Sequence, residues 1–252
     1  MSGDPLGYRA RLGVVTPSVN TVVQPEYDAM RPYGVTNHIA RIHIPEKPID
    51  GDVGFQELVD AIDRGLDDAV QRVLCVEPTC VVMGVSIEAV YRGGVGAARA
   101  IERRLNTRFG ELTLIHAADA LPAALRALGV DDGPISLVTP YMPDADAHLK
   151  AFVEEIGYGY QQAIHLRAPT PLQISHTPEA DVRAALTELA AGRPRAIIQF
   201  GANLSMARLA DEAERWLGLP VVAVNTATYW HALRRHGIPD RREGFGSLLL
   251  RH

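Results

Sequence analysis

Two apolar runs in this chain end on a glycine, with a hydrogen-bonding side chain two residues later. The first is Cys80-Val81-Val82-Met83-Gly84-Val85-Ser86, the second Ile197-Ile198-Gln199-Phe200-Gly201-Ala202-Asn203. Open α/β sheets gather ligands at the carboxyl ends of their strands, so these endings are candidates for two walls of one site. Two more polar residues follow strand-like runs: Asn20 in Pro17-Ser18-Val19-Asn20, and Tyr141 after Thr139-Pro140. An amide can donate to a ligand oxygen, and a phenol can donate or serve as an acid. Each residue also has a plain structural reading. Asn20 and Asn203 suit turns, Ser86 suits a helix cap, and Tyr141 suits packing.

Holding such groups in place requires strands that end together. Apolar runs at 12–16, 36–44, 80–84, 112–116, 135–139, 161–166, 196–200 and 221–224 read as strands. Between them, 55–73, 95–105, 120–128, 145–156, 179–191 and 204–217 carry apolar residues at helical spacing. Strands alternating with helices predict a parallel α/β fold. Ala168-Pro169-Thr170-Pro171 reads as a loop, since each proline disfavours helix just before it.

The chain has 252 residues, 47% hydrophobic and 22% charged, with net charge −5 and pI near 6.0, the profile of a globular protein. That acidity argues against a nucleic-acid partner. No run is long and apolar enough for a signal peptide or a bilayer span, so the expectation is a cytoplasmic protein without a membrane partner. Homo-oligomerisation is left open.

The sequence also echoes itself. Val14-Val15-Thr16-Pro17 returns as Leu137-Val138-Thr139-Pro140, and the two glycine endings follow in the same order. Ala124-Leu125-Arg126-Ala127-Leu128-Gly129 then returns as Ala232-Leu233-Arg234-Arg235-His236-Gly237. Duplication predicts two pseudo-symmetric parallel-sheet lobes with a cleft between them, a usual place for a small-molecule site. Residues 1–116, completed by 225–252, would form one lobe, and 117–224 the other.

Taken in order, these segments resemble the aspartate/glutamate racemase superfamily, in its maleate isomerase and arylmalonate decarboxylase branches. Thr16-Pro17-Ser18-Val19-Asn20-Thr21 is similar to the Pro-Ser-Ser-Asn-Thr turn of maleate isomerases. Met83-Gly84-Val85-Ser86, with Tyr91-Arg92-Gly93 after it, is similar to the decarboxylase stretch Met-Gly-Thr-Ser…Tyr-Arg-Gly. Thr139-Pro140-Tyr141 resembles an element of both branches. Leu217-Gly218-Leu219-Pro220-Val221-Val222, Asn225, Trp230 and Gly244-Phe245-Gly246 resemble the C-terminal pattern.

The resemblance implies a cofactor-free enzyme acting on a small carboxylic or dicarboxylic acid. Backbone amides and hydroxyls would hold a carboxylate while enediolate charge develops. Carried over residue by residue, it places Pro17, Asn20, Gly84, Val85, Ser86, Tyr141, Gly201 and Ala202 at the substrate, and Asn203, which mirrors Ser86 in the second half, would hold the opposite end of a ligand or serve as a turn or cap. The family's two facing cysteines fall at Gly84 and Gly201, where both are missing. The glycines would leave room for a larger substrate or a water. Cys75 and Cys80, the two cysteines present, precede the strand end and read as packed thiols.

Without those thiols, two-base racemisation and thiol-adduct isomerisation drop out. The expectation is lyase-type decarboxylation, with a hydrolase or hydratase acting on an unsaturated acid or amide as the alternative. A small-acid binding protein without catalysis is the alternative of another class. Tyr141, Ser86, His116 and Asp119 are the candidates for acid–base work. His116 ends a strand and titrates near neutrality, while Asp119 opens the following helix and could equally cap it. Ser86 lacks the adjacent base that a nucleophile needs. Glu88 is a further acid nearby. Asp144-Ala145-Asp146-Ala147-His148 is spaced like a metal run, yet acids at a helix start suit the macrodipole, and no metal is expected. Gly93-Gly94-Val95-Gly96 lacks the spacing of a dinucleotide loop.

Overall fold

A computed structural model describes residues 4–49, 51–87 and 94–252. The first half runs β1 (Ala10–Pro17), α1 (Val23–Met30), β2 (Val35–Ile42), α2 (Gly51–Leu74), β3 (Cys80–Met83), α3 (Gly94–Phe109) and β4 (Leu114–Ile115). The second runs α4 (Ala117–Ala127), β5 (Pro134–Thr139), α5 (Asp146–Glu155), β6 (Gly159–His165), α6 (Glu179–Ala191), β7 (Ala196–Gln199), α7 (Ala207–Leu217) and β8 (Val221–Ala223). Helices α8 (Val224–Arg235) and α9 (Ser247–Arg251) complete the chain.

The strands form two four-stranded parallel sheets, ordered β2-β1-β3-β4 and β6-β5-β7-β8. The second order is the first repeated, as the internal echo predicts. β3 and β7 are buried at every position, β1 and β5 at nearly every one. Continuous apolar strands of this kind belong to parallel sheets covered on both faces. Leu12 and Val14 of β1, Val82 of β3, Leu137 of β5 and Ile197 of β7 are fully enclosed.

All eight strand-like runs form strands. The 112–116 run keeps only Leu114–Ile115 in the ladder, and His116 already starts the turn into α4. Helix α8 packs against α4 and reaches β3 and β4 of the first sheet, and α1 also touches it. Tyr27 of α1 and Tyr229 of α8 meet there, ring centroids 4.7 Å apart. Among the described residues, no helix is long and apolar enough to cross a membrane.

Candidate active site

The carboxyl ends of β1, β3, β5 and β7 converge on one narrow cavity of about 50 Å³. That is several times the roughly 10–15 Å³ that a single water needs on the same measure. Pro17 and Asn20 reach it from β1, Gly84, Val85 and Ser86 from β3, Tyr141 from β5, and Gly201, Ala202 and Asn203 from β7. The structure therefore brings together all nine residues expected at the substrate. Ile44, Leu58, Ile62, Pro171 and Ile174 close the remaining wall. No lysine, arginine or histidine lines it among the described residues.

The two glycines are not vacated side-chain positions, which corrects the expectation of spare room. A Cβ at Gly84 would lie 2.8 Å from Val23 Cγ1 and 3.1 Å from the Val15 carbonyl oxygen. At Gly201 it would lie 2.5 Å from Pro140 Cδ, on a backbone with φ of +121° that favours glycine. They also differ in register. Gly84 N–H continues the ladder by donating to Val15 O at 2.7 Å, whereas in the second half Phe200 N–H makes that bond, to Val138 O at 3.0 Å. Gly201 thus stands one residue further beyond its sheet.

The polar residues divide by what already occupies them. Ser86 is 2% exposed, and its Oγ has no partner among the described residues. A buried hydroxyl left unpaired costs free energy unless a ligand or water pairs it. Asn20 Oδ1 accepts from the N–H groups of Val22 and Val23 at 3.0 and 2.9 Å, the plain turn reading, while Nδ2 has no described acceptor. Asn203 is spent as a brace: Oδ1 accepts from Thr21 N–H at 3.0 Å, and Nδ2 donates to Pro171 O at 2.8 Å. Tyr141 is 4% exposed and packs edge-on to Phe55 at 5.3 Å.

Behind the lining lie residues that sequence reasoning did not assign to the site. Thr16 Oγ1 donates to Gly84 O at 2.8 Å. Gln199, fully buried in β7, donates to Gly201 O at 2.8 Å. Asn225 Nδ2 donates to Ala202 O at 3.0 Å and to Glu26 Oε2 at 2.7 Å. Glu26 also accepts from the N–H groups of Met206 and Ala207 at the start of α7, at 2.9 and 3.0 Å. Burial pushes its carboxyl pKa up, against the lowering effect of those bonds. Thr16 and Asn225 carried a sequence signal, as members of the family-like segments. Gln199 stood inside the second glycine-ended run without a role assigned to it, and Glu26 carried no signal.

His116 and Asp119 lie outside the cavity, contrary to their expected place beside the ligand. The chain leaves β4 at Ile115, and His116 Nε2 comes 3.3 Å from Asp119 Oδ2 and 3.4 Å from Arg99 Nη1. Arg99 pairs with Asp119 through its two terminal guanidinium nitrogens and also with Glu102. Burial lowers the His116 pKa. Cys80 is buried and Cys75 exposed, and neither lines the cavity. Asp146 accepts from Tyr160 and contacts His165 rather than joining a metal cluster, and no such cluster occurs among the described residues. Glu88 lies outside the described residues, as do Tyr91, Arg92 and Gly93.

Comparison with known proteins gives the chain a family and a fold. Residues 12–249 match the family described as arylmalonate decarboxylase. The chain is 27% identical to the maleate isomerase of Nocardia farcinica over 248 residues, 95% of each protein. A structure of the Nocardia farcinica maleate cis-trans isomerase variant, with a covalently bound succinylcysteine intermediate, matches at a TM-score of 0.83 and 24% identity, over 96% of this chain and 98% of that one. Arylmalonate decarboxylase matches at a TM-score of 0.73 and 22% identity, over 95% of this chain and 98% of that one. These two structural likenesses are likenesses of fold.

Proposed function

The chain belongs to the arylmalonate decarboxylase family, and from that premise we propose that it is a lyase decarboxylating a small malonate-type acid without a cysteine. The observation that carries this reading is the cavity's division into one hydrogen-bonding end and one apolar wall. Ser86 Oγ, unpartnered and buried, supplies a donor for a carboxylate, and Asn20 lines the same space. Ile44, Leu58, Ile62 and Ile174 suit an apolar substituent better than a second, fully hydrogen-bonded carboxylate.

The step balances without a cofactor. The bond between the α-carbon and the departing carboxylate breaks, and carbon dioxide leaves. The electron pair moves onto the retained carboxylate as an enediolate, which the donors stabilise. Apolar surroundings strip water from the departing carboxylate, which favours its conversion to a neutral gas. The α-carbon then takes a proton from the Tyr141 hydroxyl or from water, and solvent replaces it. Thiol-dependent isomerisation, of the kind a succinylcysteine intermediate reports in the Nocardia farcinica protein, lacks its nucleophile here, because neither cysteine reaches the cavity.

The test is turnover by the purified protein of phenylmalonate, alkylmalonates and maleate. Carbon dioxide release from the substituted malonates supports the proposal. Conversion of maleate to fumarate would make the protein an isomerase instead. Binding of an acid that survives long incubation unchanged would make it a binding protein.

A further inference from the structure

Two consecutive peptide groups at the end of β7 have their carbonyl oxygens pinned by buried side-chain amides. Gln199 Nε2 holds Gly201 O at 2.8 Å, and Leu204 N–H holds the same oxygen at 3.0 Å. Asn225 Nδ2 holds Ala202 O at 3.0 Å. These oxygens belong to the peptides whose N–H groups are those of Ala202 and Asn203. No cis peptide occurs among the described residues, and in a trans peptide C=O and N–H point in opposite directions. Fixing each oxygen toward the protein interior therefore turns each N–H the other way. Neither N–H has an acceptor among the described residues, and both residues line the cavity.

We propose that Gln199 and Asn225 are positioning residues that aim the Ala202 and Asn203 N–H groups at the retained carboxylate, the one Ser86 serves, as a second set of anion donors. This inference rests on the acid-binding reading above. Successive backbone N–H groups turned to one side form a concave anion site without any charged side chain, which suits a cavity that no described arginine or lysine lines. Asn225 is itself fixed, because the other hydrogen of its amide goes to Glu26 Oε2 at 2.7 Å. The first half solves the same problem differently. Thr16 pins Gly84 O, whereas its counterpart Thr139 accepts from Tyr141 N–H at 3.4 Å, leaving the pinning to Gln199 and Asn225. The two strand ends can thus present donors despite their one-residue difference in register.

The experiment uses the full chain labelled with nitrogen-15 and titrated with phenylmalonate, phenylacetate and maleate. In wild type, the Ala202 and Asn203 amide resonances shift on saturation. Gln199→Met and Asn225→Leu, which keep bulk but remove the donor, weaken the acid about tenfold or more, the scale of one hydrogen bond to a charged group. Their melting temperatures fall by only a few degrees, so lost affinity is separated from lost fold. Should Gln199→Met not fold, Asn225→Leu and the wild-type shifts decide the matter alone. Variants that bind like wild type, or bound acid that leaves both amides unmoved, overturn this inference and leave the acid-binding reading intact. If wild type binds none of the three acids, both fall.

Discussion

Pro140 occupies the space that a side chain at Gly201 would need, its Cδ only 2.5 Å from where a Cβ would sit. The family's thiol cannot be restored by writing it back at this position. Gly201→Cys is expected to lose about 1–3 kcal/mol from its positive φ alone, with the Pro140 contact adding to that. Gly84→Cys presses on Val23 and the Val15 carbonyl and costs about 1–3 kcal/mol by overpacking. Urea unfolding measures both losses, and an assay with maleate should show no gain of isomerase activity in either variant. Gain of that activity in a stable variant contradicts the steric argument.

Ser86 gives the opposite pairing of stability and function. Its unpartnered buried hydroxyl carries a desolvation cost of about 1–3 kcal/mol, so Ser86→Ala should melt at the wild-type temperature or a few degrees above it. Affinity for phenylmalonate should nevertheless drop at least tenfold, since a donor to the carboxylate is gone. A variant that loses stability and keeps its affinity would show Ser86 to be a helix-start residue and nothing more.

Thiol chemistry should be silent. Cys75 is exposed and will alkylate, whereas Cys80 is buried with its pKa pushed up to about 12 by desolvation, so little thiolate is present. Iodoacetamide treatment followed by mass spectrometry should find the label on Cys75 alone, with turnover unchanged. Loss of turnover in a folded, labelled protein would place a thiol in the mechanism after all.

The strands and the cavity lining were legible because a parallel sheet writes itself as continuous apolar runs and ends them at the ligand. Helix α8 is not legible as a helix in the sequence. It is rich in β-branched and aromatic residues and buried on nearly every side, from Val224 through Leu233, so it shows no amphipathic stripe. Gln199 was hidden for a related reason. A glutamine inside an apolar strand looks like a defect until its amide is seen holding Gly201 O. His116 was misplaced because strand position alone does not say where a chain leaves its sheet. β4 ends after Ile115, and the histidine turns toward Arg99 and Asp119.

That displacement of His116 has a consequence for pH. Burial is the largest influence on its pKa and lowers it, Asp119 and Glu102 oppose this, and Arg99 adds to it. His231 and His236 are lowered by burial as well. A histidine whose folded pKa is depressed binds fewer protons in the native state than in the unfolded chain. Stability contributed by these groups is therefore complete above the ordinary value of 6.5 and falls as pH drops below it. The carboxyl of Glu26, raised by burial, has the opposite sign and gains stability for the fold as it protonates. Urea unfolding between pH 7 and pH 5 should show the net acid loss, and His116→Gln should flatten it by removing one of the three histidines. Because His116 does not reach the cavity, the same variant should keep wild-type turnover of phenylmalonate and its pH profile. A shift of that profile on substitution would return His116 to the chemistry.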